Sequence, residues 1–114
     1  MIYLASPYSH PDPAIRELRF RAVCLYAAKL MGQGVNVYSP IAHTNPIAVM
    51  GDLPKGWDFW KQYDEWFISR CNSVVVLMID GWKESVGVQA EIAMAKEFGK
   101  PVSFVDDVAN SGRG

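Results

Sequence analysis

Short apolar runs alternate with stretches of helical periodicity along the 114 residues. Ile2–Ala5 (IYLA) predicts a first strand. Asp12 and Pro13 then open a helix, since Asp caps a helix N-terminus and Pro is tolerated at its first position. That helix is expected to run to about Met31 and to stop at Gly32-Gln33-Gly34. Residues 35–38 (VNVY) predict a second strand. Residues 39–57, punctuated by Pro and Gly, predict a long loop holding at most a short turn of helix, and loops of that length usually carry function. A second helix is expected over about 58–70, followed by residues 73–79 (SVVVLMI), a β-branched run suited to a strand covered on both faces. A third helix over about 86–98 ends at Gly99 and feeds a last strand at 101–104. Residues 107–114 have little to bury and are expected to form a disordered tail.

This alternation predicts a single α/β domain over residues 1–106. The expected architecture is a small flavodoxin-like or Rossmann-like three-layer fold, with a parallel sheet of four to five strands. Ligand sites in such folds lie outside the carboxyl ends of the strands. Here those ends are followed by Ser6-Pro7-Tyr8-Ser9, by Ser39-Pro40 and by Asp80-Gly81-Trp82.

Two acids break the pattern. On a wheel of about 100° per residue, Val88, Ile92, Met94, Ala95 and Phe98 form the apolar arc of the third helix, with Gln89, Lys96 and Glu97 opposite. Glu91 falls inside that arc, between Ala95 and Phe98. On the second helix Trp60, Tyr63, Phe67 and Cys71 form the apolar arc, and Asp64 projects between Ile68 and Cys71. A buried unpaired charge is expensive, so such groups are either paired or functional. The structural alternative gives each acid a backbone donor or an arginine such as Arg70. Two inward acids in a one-core domain, without His or Cys at metal-ligand spacing, point instead to nucleophilic or acid–base chemistry of the kind used on glycosidic bonds. Ser85-Val86-Gly87 adds a hydroxyl and an unobstructed backbone at a helix N-terminus, which suits an anion, although Ser is also an ordinary N-cap there.

Composition narrows the partners. A net charge of −1 gives no electrostatic reason for nucleic-acid polymers or acidic membranes. No apolar run approaches the roughly 18 residues of a membrane helix. The N-terminus shows no signal-peptide pattern, and Cys24 and Cys71 read as reduced, buried thiols, so a cytoplasmic location is expected.

Ile2 to Ser9, Asp64 to Ser69, and Asp80-Gly81-Trp82 through Ser85-x-Gly87-x-x-x-Glu91 together resemble the nucleoside 2-deoxyribosyltransferase superfamily. Within it the chain looks most like the small uncharacterised DUF1937-type family, over nearly all residues up to about Val105. The resemblance implies an enzyme that cleaves or exchanges an N-glycosidic bond, without cofactor or metal. It makes Glu91 the nucleophile on the anomeric carbon, Tyr3 the residue that positions it, and Asp64 a contact to the base or an aid to proton transfer. Ser85 and Gly87 match positions near the 5′ end of the sugar. Transferases acting on free nucleosides carry an acid at the position of Ser85, whereas the branch that hydrolyses nucleoside 5′-monophosphates carries a serine. The chain therefore leans towards a 5′-monophosphate. It departs from that branch in its first loop, where Ser6 to Pro13 replace a glycine- and arginine-rich segment and leave Arg16 as the nearest cation.

Ser6, Tyr8, Ser9, Asp80 and His43 complete the candidate binding residues. Tyr8 either stacks on a base or covers the sheet end, and a lone loop histidine such as His43 is more often structural. Arg16, Arg19 and Arg21 line the first helix, where a solvated face is the default. The dense aromatics from Trp57 to Phe67 suit either a core or a subunit interface. The resemblance implies a homo-oligomer, dimer or tetramer, in which neighbouring subunits complete the site. The competing readings are a non-catalytic nucleotide-binding or sensing module on the same fold and a receiver-like domain with Asp80 as acceptor. Ser6-Pro7, standing where a receiver needs acids, weighs against the latter.

Overall fold

The computed structural model describes residues 1–106; the expected tail at 107–114 lies outside them. Four parallel strands form one sheet in the order β2-β1-β3-β4, where β1 is Ile2–Ala5, β2 Val37–Tyr38, β3 Ser73–Leu77 and β4 Val102–Val105. Register runs from Ile2 opposite Val37 and Ser73 to Leu77 opposite Val105. The strand order reverses between β1 and β3, so the loops leaving these two neighbours diverge to opposite sides and open a crevice.

Strand alternation separates two apolar layers. Tyr3, Ala5, Val74 and Val76 face α3 (Trp57–Arg70) and α4 (Val86–Glu97), packing on Ile68, Val88, Ile92 and Ala95. Leu4, Val37, Val75 and Leu77 face the other way, onto Val23 and Ala27 of α1 (Pro13–Gly32), with Ile41 and Ala42 at the edge. The expected α/β fold with helices on both faces is thus present, with four strands. Asp12 caps α1 through its side chain onto the Ala14 amide, with Pro13 in the first turn. The turn after α1 carries Gly34 at φ +82, a conformation that favours glycine.

Two expectations need correction. Residues 40–50 are not a loop but an eleven-residue helix, α2 (Pro40–Met50). Ser39 caps it by accepting from the Ala42 amide at 3.1 Å, and Pro40 occupies the first turn. This is the same local grammar as Asp12-Pro13, and it outweighs Pro46 inside the helix. The apolar arc of α3 is also turned from the expected one. Asp64 and Ile68 are its buried residues, whereas Tyr63 is 53 % exposed. Smaller shifts shorten β2 and β3 and start β4 at Val102. Cys24 is half-buried rather than buried, while Cys71 is buried.

Candidate active site

Glu91 is 4 % exposed and Asp64 7 %, and both reach the floor of one cavity. Behind them lies Tyr3, wholly buried on the α3/α4 face of β1, whose hydroxyl donates to Glu91 Oε2. Asp64 adjoins both Glu91 and the Tyr3 hydroxyl. Three elements distant in sequence thus converge on one buried, hydrogen-bonded cluster.

Burial dominates its electrostatics. Desolvation pushes Glu91 well above the ordinary carboxyl range, and the neighbouring Asp64 charge pushes the same way, against the Tyr3 hydrogen bond. Desolvation raises Asp64 to about 6, opposed by the nearness of Glu91 and the Tyr3 hydroxyl. Tyr3 is likewise held well above the usual phenol value, first by burial and then by Glu91 and Asp64. Two carboxyls that cannot both ionise cheaply retain a proton between them. Burial raises both carboxyls, and Glu91 is raised further by the charge of Asp64 beside it, so the pair holds a proton more readily than either acid would in water.

The cavity holds about 790 Å³, within the usual range for small-molecule sites. One side is the β1–α1 loop, with Ser6, Tyr8, Ser9 and His10, together with Arg16 of α1. The opposite walls are a face of α2 (Ile41, Thr44, Asn45, Ala48) and Trp57 and Trp60 of α3. Trp57, Trp60 and Asp64 lie at i, i+3 and i+7 on one face of α3. The N-terminal turn of α4 closes the remaining side with Ser85 and Gly87, while Lys55 and Glu84 stand exposed along the lining.

Two serines on the lining suit a polar ligand. Ser6 is 5 % exposed, lines the cavity, and its Oγ has no hydrogen-bond partner. Buried hydroxyls are normally satisfied, so this one points to a group supplied from outside. Ser85 caps α4, its Oγ accepting from the Val88 amide at 3.2 Å. That bond uses a lone pair and leaves the hydroxyl proton free to donate into the cavity. A Cβ on Gly87 would meet nothing closer than Ser85 Oγ at 3.9 Å, so the protein itself does not demand glycine there. Arg16 donates to the carbonyls of His10 and Pro11 and forms no ion pair among the described residues.

Of the sequence-derived candidates, Ser6, Tyr8, Ser9, Asp64, Ser85, Gly87 and Glu91 all line this cavity, and Tyr3 supports it from behind. Asp80 and His43 do not. Asp80 is exposed in the turn after β3. His43 is exposed on α2, its Nδ1 2.8 Å from the Ser39 carbonyl and its ring 4.9 Å from that of Tyr38. Arg70 partners neither acid; it donates to the Trp66 carbonyl and to Ser69 Oγ. The walls, Thr44 and Asn45 on one side and Trp57 and Trp60 on the other, were missed. The Ser39-Pro40 cap signal could have exposed the α2 wall, and the spacing to Asp64 could have exposed the other.

Among the described residues no three His, Cys, Asp or Glu side chains converge as metal ligands, and no helix is long and apolar enough to cross a membrane. Comparison with curated proteins gives no match. A family model described as a domain of unknown function, DUF1937, matches residues 1–107, and the chain belongs to that family.

Proposed function

We propose that this chain cleaves or exchanges the N-glycosidic bond of a nucleoside or nucleotide, leaning to a (deoxy)nucleoside 5′-monophosphate, as a relative of the nucleoside 2-deoxyribosyltransferases. The observation that carries this reading is the Tyr3–Glu91–Asp64 cluster on the cavity floor. A fold has no use for two desolvated carboxyls at the base of an open cavity unless they do chemistry there.

The retained proton is the one the reaction needs. As the bond between the anomeric carbon and the base nitrogen lengthens, positive charge grows on the sugar and favours ionised Glu91. The proton then passes to Asp64, which delivers it to the departing base while the bonding electrons stay with the base nitrogen. A Glu91 oxygen closes on the anomeric carbon to form a glycosyl ester, and Tyr3 holds that carboxyl in line. Water attacks the anomeric carbon, Asp64 takes the water's proton, and the bond from that carbon to the Glu91 oxygen breaks, so that Glu91 leaves as carboxylate. A second base in place of water gives exchange.

Ser6, Ser85, Arg16 and the α4 N-terminus suit a phosphate on the sugar's 5′ end. Glu84, beside them, is the one group there that favours a 5′-hydroxyl. Trp57 and Trp60 offer faces for the base. A homo-oligomer in the cytoplasm belongs to the same proposal. The test incubates the protein with a panel of (deoxy)nucleosides and their 5′-monophosphates, with and without a second free base, and follows base release by chromatography. Glu91→Gln should lower release by several orders of magnitude with the fold retained. Full release by this variant overturns the nucleophile. Binding without release of any base assigns the chain to nucleotide sensing instead.

A further inference from the structure

Arg19 has no place in the chemistry above, yet its side chain is not spread in solvent. It is half-buried on α1, and its Nη1 donates to the Ser9 carbonyl at 2.8 Å. Arg16, one turn earlier, grips the next two carbonyls of the same loop, those of His10 and Pro11. The two arginines therefore hold three consecutive peptide groups of the segment that lines the cavity.

Arg19 does something further. Its guanidinium lies directly against Gly81, in the turn that follows β3. Gly81 adopts φ +92, and a Cβ there would fall 3.0 Å from Arg19 Cζ and nearer still to Nη2. The backbone conformation favours glycine there, and any larger residue would displace the guanidinium from its seat against the turn. The turn it occupies is anchored. The Trp82 amide donates to the Ile79 carbonyl at 3.1 Å, and the Trp82 ring packs on the core and 5.6 Å from that of Phe104. This turn leads directly into Ser85 and α4. No carboxylate lies within ion-pair distance of Arg19 among the described residues, so nothing else accounts for its placement.

We infer that Arg19 is a positioning residue, a latch that ties the β1–α1 loop to the β3–α4 turn and sets the spacing of Ser9 and Ser85 around the sugar's 5′ end. The inference rests on the glycosidase reading for its kinetic consequence and stands on geometry alone for its mechanical one. Loops leaving two adjacent strands at the point where strand order reverses have no hydrogen-bonded ladder to hold them together. A planar guanidinium can donate to one loop through Nη1 while its flat body packs against Gly81 of the other, which a lysine ammonium, a single point of charge, cannot.

The test uses Arg19→Gln, which keeps much of the side-chain stem, with Arg19→Ala, Gly81→Ala and the Arg19→Ala/Gly81→Ala double variant. Hydrogen exchange should show faster amide exchange at 80–85 as well as at 8–10 in both Arg19 variants, although the substitution lies on α1. For the 5′-monophosphate substrate, KM should rise about ten-fold with kcat changed less than about two-fold. Gly81→Ala should raise KM in the parent chain and add less when Arg19 is already alanine, because the displaced group is the guanidinium. Exchange unchanged at 80–85, a fall in kcat without a change in KM, or additive effects of the two substitutions each overturn the latch. If the parent chain releases no base from any substrate, the glycosidase reading fails, and exchange at 80–85 still decides whether Arg19 joins the two loops.

Discussion

Asp64→Asn separates a functional acid from a structural one. Asp64 is 7 % exposed, and burial raises it from 3.8 to about 6. Between those values the folded chain keeps a proton that the unfolded chain has lost, so stability falls as pH rises. Above about 6 both states are ionised and the loss is complete. At 1.4 kcal/mol per pH unit, the carboxylate destabilises the fold by roughly 3 kcal/mol at neutral pH. Asparagine has the same shape and no charge, so it escapes this penalty. It gives up part of the hydrogen bonding to Glu91 and Tyr3, at a cost of about 1 kcal/mol. The net expectation is a gain of about 2 kcal/mol at pH 7, a rise in Tm on the order of 8 °C, with base release largely lost. Urea titrations at pH 7 and pH 4 measure it. At pH 4, near the unfolded value of Asp64, the penalty shrinks to roughly 0.5 kcal/mol, and the lost hydrogen bonding should leave the variant slightly less stable than the parent. A variant less stable than the parent at pH 7 would mean that the carboxylate holds the fold together, and a gain equal at both pH values would mean that ionisation is not its cause.

Ser85→Asp preserves the α4 cap, since Asp caps as well as Ser, but places a negative charge where a phosphate would sit. Preference for the 5′-monophosphate over the nucleoside, measured as a ratio of kcat/KM, should fall by about 100-fold or more, and an unchanged ratio removes Ser85 from the 5′ end. Ser6→Ala deletes a hydroxyl that bonds nothing in the protein, so the urea midpoint should hold or rise slightly. Ligand affinity by calorimetry should drop about ten-fold, and a clear loss of stability with affinity intact would make Ser6 structural.

Local signals carried most of the fold. Ile2–Ala5, the Asp12-Pro13 cap, the β-branched run at β3 and the extent of α4 each follow from neighbouring residues, and the structure places them within a residue or two of expectation. Where the reading failed, a local rule had been applied unevenly. Ser39-Pro40 has the same cap-then-proline form as Asp12-Pro13, yet Pro46 and Gly51 suggested a loop. Pro46 costs the helix one hydrogen bond at the Ala42 carbonyl. That cost is borne because Ile41 and Ala42 pack at the edge of the α1-side core while Thr44, Asn45 and Ala48 face the cavity.

The acids were legible because they contradict their surroundings, and the error over α3 shows how far such a contradiction can be read. Its aromatics drew the expected arc towards Tyr63, whereas the buried centre of the helix is Asp64 with Ile68. A helix that lines a cavity has two kinds of inward face, one against the core and one against space reserved for a ligand, and hydrophobicity does not distinguish them. Trp60 belongs to the second kind and Ile68 to the first, while Trp57 touches both the core and the cavity and Asp64 lines the cavity from the buried side of the helix. Tyr3 was legible only through the family resemblance, since a tyrosine in a buried strand is ordinary until its hydroxyl is seen to donate to Glu91. The geometry of the strand explains its place: Tyr3 and Ala5 project towards α3 and α4 because side chains alternate. Only the tyrosine can span from the sheet to the carboxyls above it. A sheet residue thus holds the α4 acid beside the α3 acid at the cavity floor, where burial raises the pKa of both.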